Sequence, residues 1–506
     1  MFKAHPKGLL AAALANMGER FGFYTMMAIL SLFLMAKFGL SETNAGIIYS
    51  IFYFSIYVLA FVGGLIADKT KNFKGTILIG LIMMAVGYLI IAIPTGTPVP
   101  ADKFVLFLAL TCFGLFVIAF GNGLFKGNLQ ALVGQMYDDP KYSKLRDSGF
   151  QWFYMFINVG AIFAPLAAVG VRNWWVESHG LKYNSTLPEL CHSFLQGKDV
   201  PNLPQMASDA GYTGTDMTSF ANQYLDVFAT GFHYAFLVAI GAMAISLAIY
   251  LVNKKRFPNP ADKAKHAAGT NYVEMDAKEV KQRLYALFAV FAVVIFFWFS
   301  FHQNGLTLTF FAKDYTDLSS ININLGFITL KGAELFQSIN PFFVVFLTPI
   351  IMALFGWFRA RGKEPSTPKK IAIGMLIAAL GYVLMTIGSL DVPSKELVTG
   401  MGGLPDAQRV TPFLLIGTYF ILTIAELFIS PLGISFVSKV APPKYQGMMQ
   451  GLWLCATAVG NQLLFIGAIF YESIPIWATW SIFVTACLIS MFTMLFMLKW
   501  LERVAK

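Results

Sequence analysis

Twelve long apolar segments divide this chain of 506 residues. Each is long enough to cross a bilayer, which takes about 20 mostly apolar residues. Hydrophobic residues make up 57% of the chain and charged residues only 13%, far from the composition of a soluble globular domain. The sequence therefore predicts an all-α polytopic membrane protein. Its twelve transmembrane helices are predicted to centre near residues 23, 56, 84, 118, 160, 241, 295, 342, 380, 422, 457 and 488.

A polar connector, residues 253–282, separates the first six segments from the last six. It is too polar to cross the membrane. We expect residues 1–252 and 283–506 to form two six-helix bundles, the arrangement in which two halves rock around a site at the midplane. A second insertion, about residues 172–223, is rich in polar residues and is expected to be a loop outside the membrane.

Basic residues fall mainly in alternate loops. The loops on the side of the two termini hold 26 of the 37 Lys and Arg residues, the opposite loops hold 9, and Arg20 and Lys126 lie within segments. Because cytoplasmic loops carry the excess of Lys and Arg, both termini are expected in the cytoplasm. A bacterial inner membrane is the expected location.

Residues that would carry metal, redox or nucleic-acid chemistry show no suitable pattern. The four cysteines have no metal-ligand spacing, and none of the six histidines forms an i, i+4 pair or lies beside a plausible nucleophile. The net charge of +10 comes from basic residues beside the apolar segments. We therefore expect no enzyme activity, no cofactor or metal and no nucleic-acid partner, and we expect a monomer in the lipid bilayer.

Charged side chains inside the segments each need a reason, because a charge at the centre of a membrane helix costs at least about 2.5 kcal/mol. Glu19 and Arg20 lie in the first segment, Lys126 in the fourth and Glu426 in the tenth. His302, in the seventh, is also titratable. These groups could simply pair with one another across a water-filled cavity. They come from both halves of the chain, however, which favours a ligand site between the bundles.

The polar residues of the first segment share one helix face. The spacing of i, i+3, i+4, i+7, i+8 and i+11 predicts that this face contacts protein or water rather than lipid. The residues on it are Asn16, Glu19, Arg20, Phe23, Tyr24 and Met27.

The set of charges has the polarity to hold a zwitterion. Arg20 offers a planar donor fork for a carboxylate, and Lys126 offers a point charge. Glu426 is an acceptor for an ammonium group. Asn158 and Asn340 can each bind a peptide carbonyl or amide. An extended ligand with a carboxylate at one end and an ammonium at the other would fit such a site.

The loop after the second segment, residues 63–75, reads GGLIADKTKNFKG. Its glycines, Gly64 among them, are expected to let helices two and three approach closely. Asp68 then faces basic residues at the membrane surface. This pattern resembles the gating loop of the major facilitator superfamily, although an ordinary basic cytoplasmic loop would look similar.

Five ordered patches of sequence resemble the proton-dependent oligopeptide transporter family of the major facilitator superfamily. The resemblance covers nearly all of the chain outside the 172–223 loop and the connector. It implies import of di- and tripeptides by alternating access, coupled to protons. The patches are GERFGFY, GNGLFKGN with the following VGQMYDDPKYSKLRDSGFQWFYMFINVGA, FQSINPFF, RGKEPSTPKK and AELFISPLGISFVSKVAPPKYQGMMQGLW.

The resemblance also implies a set of pocket residues. Tyr57 and Trp453 have an ordinary alternative as packing aromatics. The implied lining is Arg20, Tyr24, Tyr57, Lys126 and Asn158 from the first half, with Asn340, Glu426 and Trp453 from the second.

Three departures from the family concern its proton machinery. Asn16 stands where the family has Glu, and Met27 and His302 stand where it has an Arg and a Glu that resemble a gating salt bridge. The extra helix pair of many prokaryotic relatives is also expected to be absent. Coupling to protons through altered residues, an uncoupled facilitator and coupling to another gradient all remain open. The proton-coupling candidates are Glu19, Arg20, Lys126, His302 and Glu426.

Two other functions fit the same fold. Distant members of the family carry nitrate or another small anion, although Glu426 would repel an anion. A sensor that binds peptides without moving them would have the same pocket. Substrate counterflow would separate a carrier from a sensor.

Overall fold

The computed structural model describes residues 4–137, 139–142, 145–258, 276–326, 328–442 and 446–504. These residues include twelve helices that are long and apolar enough to span a membrane. Each contains one of the twelve predicted centres. The predicted number and placement of the spans are therefore confirmed.

The first half of the chain, residues 4–258, contains six membrane helices and two short ones. The short helices α6 and α7 lie in the loop between the fifth and sixth spans. The helices are α1 (Leu9–Phe38), α2 (Glu42–Thr70), α3 (Phe73–Ala92), α4 (Phe104–Met136), α5 (Arg146–Ser178), α6 (Leu187–Leu195), α7 (Leu203–Asp209) and α8 (Met217–Asn253).

The second half, residues 276–504, also contributes six spans, three of which contain a break or a 3-10 segment; one break, at Leu463, separates α15 from α16. A 3-10 turn over His302–Gly305 joins α9 to α10, and Ala333–Ser338 is a 3-10 segment that leads into α11. The strands β1 (Ile323–Asn324) and β2 (Thr329–Leu330) form a small antiparallel hairpin. The helices are α9 (Ala277–Phe301), α10 (Thr307–Asp314), α11 (Ile339–Ala360), α12 (Thr367–Gly388), α13 (Lys395–Gly400), α14 (Pro412–Val440), α15 (Gln446–Gln462), α16 (Leu464–Ser473) and α17 (Ile476–Val504).

Each half packs mainly against itself. In the first half α1 contacts α5 and α8, and α4 contacts α2 and α3; in the second, α12 contacts α14 and α17, and α9 contacts α15. Between the halves, α2 packs against α15 and α16, and α5 against α11. Helix α1 is buried along nearly all of its length, while large apolar side chains such as Phe496 and Val105 are exposed on outer helices. This arrangement is the two-bundle major facilitator fold.

Since successive spans alternate in direction, both chain termini lie at the same end of the bundle. We call the opposite end the distal end; it includes the end of α1, the start of α2, and the helices α6, α7 and α13. Residues 257–276 are too few for two further spans of about 20 residues each. The connector is therefore too short for the extra helix pair, and the described residues contain no such pair between α8 and α9.

Two boundary predictions differ from the structure. Helix α5 continues through Arg172 to Ser178, and α8 begins at Met217, so the loop predicted over 172–223 is shorter. The glycines after the second span were expected to bring helices two and three close together. In the structure, the close contact at Gly63 is instead between α2 and α4. A side-chain atom on Gly63 would collide with the backbone of Gly123, and one on Gly123 with the backbone of α2.

Candidate functional site

From the sequence, Arg20 was expected to offer its guanidinium to a ligand carboxylate, but in the structure this group is already paired with a carboxylate of the protein. Its Nε and Nη2 atoms donate to the two carboxylate oxygens of Glu19 at 2.5 and 2.6 Å. Both side chains are buried, with exposed fractions of 4% and 0%. The guanidinium also lies over the ring of Phe23, 4.5 Å from its centroid, and 5.9 Å from that of Tyr24. The Arg20 charge is therefore balanced by its neighbour, although the guanidinium keeps other N–H donors.

Asn122, one helical turn before Lys126, is a site residue that the sequence did not reveal. Its Nδ2 donates to the Oε1 atom of Glu19 at 2.8 Å, and the side chain is fully buried. Glu19 therefore accepts hydrogen bonds from both α1 and α4. Asn122 fixes the carboxylate that in turn orients Arg20.

Lys126 has a different environment from Arg20. It is half-buried, and its Nζ lies 5.0 Å from the ring centroid of Tyr57 on α2. Among the described residues it forms no ion pair. Unlike the charge of Arg20, the positive charge of Lys126 therefore has no ion-pair partner among the described residues. It lies beside an aromatic face, which favours a cation.

Glu426 is the corresponding negative charge in the second half. It is half-buried on α14, and its Oε2 accepts from Nδ2 of Asn340 on α11 at 2.9 Å. The same Asn340 amide also donates to Thr423 at 3.0 Å. In the described part of the chain Glu426 has no cationic partner. The predicted neighbourhood of Asn340 and Glu426 is therefore present.

The remaining pocket candidates have packing roles as well. Asn158 donates to the carbonyl of Tyr154 within α5, at 3.1 Å, and is buried. Trp453 is also buried and packs against Gly433, where any side chain would overlap its ring, and against Phe291. Their contacts are those of helix side chains that pack beside a site, and their contact with a ligand stays a prediction.

His302 lies in the 3-10 turn between α9 and α10, at the boundary of the two halves. Its Nδ1 is 2.5 Å from Oδ1 of Asn461, and its ring stacks on Trp298 with centroids 5.0 Å apart. The ring of Tyr53, from the first half, lies 4.8 Å away. His302 and Met27, two of the three residues that depart from the family pattern, are both buried.

The predicted gating loop is only partly described. Gly64 is half-buried on α2, with open space where a side chain would begin. The side chain of Asp68 lies outside the described residues. The role of this loop stays a prediction.

A charge cluster at the distal end was missed by the sequence analysis, which did not single out any of its members. Lys395 lies 2.9 Å from both Glu42 and Glu189, and 3.0 Å from Asp314. Lys313 lies 3.0 Å from Glu189 and Asp314 and 3.4 Å from Glu42. Glu42 and Glu189 belong to the first half and the other three to the second. We call these five residues the distal cluster.

Protonation equilibria favour the charged forms of Glu189 and Lys395 in this cluster. Burial alone would raise the pKa of Glu189, but the ammonium groups of Lys313 and Lys395 outweigh it and hold that pKa well below its usual value. Burial opposes the charge of Lys395, whereas Asp314, Glu189 and Glu42 raise its pKa well above the usual value. Three carboxylates this close could bind a metal ion. The two lysines already supply the counter-charges, so we assign no metal here.

A second missed contact joins the halves near the same end. Arg172, inside α5, donates from Nη1 to Glu334 in the 3-10 segment before α11, and both side chains are fully buried. Arg172 also donates to the carbonyl of Lys331 at 3.2 Å. The neighbouring Asn173 donates to the carbonyls of Thr329 and Lys331 at 2.8 and 2.9 Å. The 329–334 segment is thereby held against α5.

Comparison with known proteins identifies the family. The model of the POT family matches residues 74–273 and 261–476. The chain is 29% identical to the peptide transporter YePEPT of Yersinia enterocolitica over 479 residues, covering 91% of this chain and 87% of that protein. It is 27% identical to the uncharacterized transporter YclF of Bacillus subtilis, covering 94% and 90%.

Solved structures show the same fold. A crystal structure of a mutant peptide transporter POT in complex with alafosfalin superposes with a TM-score of 0.72 at 24% identity, over 99% of this chain and 96% of that one. A POT family transporter in complex with 5-aminolevulinic acid gives a TM-score of 0.70 at 22% identity, over 99% and 97%.

Proposed function

The chain is a member of the POT family, an integral membrane protein rather than an enzyme, and we propose that it imports di- and tripeptides by alternating access. Residues 1–252 and 283–506 are the two moving bodies, and 253–282 connects them. The excess of basic residues in the loops on the side of the termini supports a cytoplasmic location for both termini, with the distal end outside, in a bacterial inner membrane. The named peptide transporter among its relatives supports this substrate class.

One observation carries the proposal. Lys126 in the first half and Glu426 in the second are half-buried charges of opposite sign, and neither forms an ion pair among the described residues. Such charges in a membrane are expensive unless a ligand or water compensates them. A zwitterionic peptide would supply both counter-charges at once, with its carboxylate at Lys126 and its ammonium at Glu426. Because the two residues belong to different halves, a bound peptide would favour closure of the two halves around it.

The pairing of Arg20 refines the ligand orientation predicted from sequence. Glu19 neutralises Arg20, so the net charge that attracts a carboxylate comes from Lys126. Arg20 then contributes hydrogen bonds from its remaining N–H groups. Asn340, already bonded to Glu426, is placed to bind the backbone of a peptide whose ammonium group meets that carboxylate.

Proton coupling is the finer part of the proposal. Glu19 accepts hydrogen bonds from the Arg20 cation and from Asn122, so it already has a cationic partner. Glu426 accepts from a neutral amide and has no cation beside it. A carboxylate in such a place gains most from binding a proton when the peptide is absent. We therefore take Glu426 as the group that exchanges a proton in the empty site.

Uptake of labelled dialanine into proteoliposomes tests this proposal. We expect dialanine counterflow, and accumulation when an inward proton gradient is imposed. A membrane potential alone and no gradient serve as references. An Asn16→Glu variant, which restores the acidic residue of the family on α1, shows whether that position sets the strength of coupling. Equilibration without accumulation would refute proton coupling and leave a facilitator, whereas absence of counterflow would refute peptide transport.

A further inference from the structure

Among the residues that the structure describes, the polar contacts between the two halves are concentrated at the distal end. Besides the distal cluster and the Arg172–Glu334 pair, Glu472 accepts from the backbone N–H and the hydroxyl of Thr43 at the start of α2. Asn202 donates to the carbonyl of Gly402 at 2.8 Å, and Ser185 to that of Lys313 at 2.9 Å. These contacts join α2 and the α5–α8 loop to the second half.

A second layer of contacts lies closer to the ligand site. Ser338 donates to the carbonyl of Ile162 on α5 at 2.8 Å, and Gln337 to that of Ala28 on α1 at 3.2 Å. Ala28 lies two helical turns beyond Arg20 on the distal side. The two halves are thus closed against each other from just beyond the ligand site to the distal surface.

We propose that the Arg172–Glu334 pair and the distal cluster are the outer gate of this transporter. The proposal rests on the proposed function, in which the two halves separate at the distal end to admit peptide. Asp314 pairs with the two lysines within the second half. The Arg172–Glu334 pair and the pairs of Glu42 and Glu189 with Lys313 and Lys395 join opposite halves, so none of these can survive that separation. They must break and reform in every transport cycle.

Within the proposed gate, the Arg172–Glu334 pair is the contact that most strongly resists opening, and we call it the latch. Both side chains are fully buried, and a buried charge left without its partner is far more costly than an exposed one. The pair therefore resists opening until the halves have separated enough for water to reach it. Lys395 and Lys313 add further pairs nearer the distal surface, where Glu189 is about a quarter exposed.

The latch is also connected to the ligand site by continuous backbone. Glu334 lies in the 3-10 segment Ala333–Ser338, which leads directly into α11, and Asn340 on α11 holds Glu426. A peptide that binds Asn340 acts directly on the segment that carries Glu334. A peptide that binds Glu426 acts on the same segment through the hydrogen bond between Glu426 and Asn340. Ligand binding and gate opening therefore share one structural element.

A thiol reporter behind the gate tests this inference without requiring transport. Ser338→Cys, in a background whose four native cysteines are alanine, is exposed to a membrane-impermeant maleimide added outside intact cells. We expect slow labelling with the gate intact. Glu334→Gln should raise the initial rate about tenfold or more, because it leaves Arg172 buried without a counter-ion. Arg172→Glu and Glu334→Arg should each do the same, and the two together should restore slow labelling.

The matched control is Arg359→Gln. Arg359 pairs with Glu364 at the opposite end of the molecule, within one half, and its side chain is 71% exposed. This variant should label at the original rate. If Glu334→Gln lowers the yield of folded protein, Lys395→Gln in the short helix α13 replaces it with the same expected increase.

The outcomes separate the gate from the transport proposal. Unchanged labelling in folded Glu334→Gln and Lys395→Gln, or failure of the double reversal to restore protection, would overturn the gate. Faster labelling seen in inside-out vesicles rather than in intact cells would support the gate and reverse the assigned orientation. Because labelling does not depend on peptide movement, it gives an answer even if dialanine is not the substrate.

Discussion

The ligand site and the distal end use buried charge in opposite ways. At the distal end, Lys313 and Lys395 each lie within 3.4 Å of three carboxylates, and Arg172 is paired with Glu334. At the ligand site, neither Lys126 nor Glu426 forms an ion pair among the described residues; Lys126 lies beside an aromatic ring, and Glu426 accepts from an amide. Paired charges stabilise one arrangement of the halves. In our proposal, the unpaired charges of opposite sign at the ligand site are compensated when a ligand binds.

Reversing a charge in the distal cluster should produce the largest effect. Lys313→Glu would place a fourth carboxylate among Glu42, Glu189 and Asp314, in a site where the lysine is 5% exposed. We expect a loss of about 3–5 kcal/mol in stability, as for other broken buried ion pairs. The measurement is the midpoint of thermal unfolding in detergent.

Arg359→Glu, at an exposed ion pair, is the control for that experiment, since surface pairs contribute little. Its melting temperature should stay close to that of the unchanged protein. Equal losses in the two variants would mean that the distal pairs do not stabilise the structure.

Asn122→Leu should weaken the ligand site by a smaller amount. It removes a hydrogen bond to the Glu19 carboxylate, and bonds of this kind contribute about 1.5–3 kcal/mol. Because Glu19 orients Arg20, we expect the apparent affinity for dialanine to fall roughly tenfold, with a smaller change in maximal rate. Concentration-dependent counterflow measures both. Asn222→Leu, which changes an exposed asparagine of α8, should leave the affinity unaltered; a similar loss in both variants would argue against a positioning role for Asn122.

Much of this organisation could be predicted from sequence because charges stand out in apolar helices. Glu19, Arg20, Lys126 and Glu426 were found in that way, and the count of twelve spans followed from the long apolar segments themselves. Their pairing could not be predicted, since the distance between Arg20 and Glu19 depends on side-chain conformation.

The distal residues were missed for a different reason. Glu189 and Lys395 lie in polar loops, where charged residues are ordinary and give no sign of burial. Arg172 and Glu334 are 162 residues apart and meet only when α5 and the segment before α11 come together. The adjacent charges of Lys313 and Asp314, at the end of the seventh span, were the sequence signal that could have pointed to the distal cluster.

The distal cluster should be insensitive to pH over the physiological range, which is the smallest effect expected. The pKa of Glu189 is lowered by Lys313 and Lys395, so its contribution is present above its unfolded pKa and is lost only as pH falls through the lower folded value. The pKa of Lys395 is raised, so its contribution is present below its unfolded pKa and is lost only at still higher pH. Between about pH 5 and 9 both stay charged, beside Glu42 and Asp314.

The same maleimide assay measures this. The rate of Ser338→Cys labelling, divided by that of the unfolded protein to correct for thiol ionisation, should be flat from about pH 5.5 to 8. A steep rise toward acid would mean that protons open the gate directly. A flat profile would locate proton control elsewhere, with Glu426 as the proposed group.

The central claim is that Lys126 and Glu426 bind opposite ends of one peptide, and a cycle of modified peptides tests it most directly. Competition by dialanine, N-acetyl-dialanine and dialanine amide is measured in the unchanged protein, in Glu426→Gln and in Lys126→Gln. We predict that acetylation weakens binding about 10- to 100-fold in the unchanged protein but little further in Glu426→Gln, and that amidation behaves in the same way with Lys126→Gln. Equal penalties for each modification in all three proteins would contradict the claim.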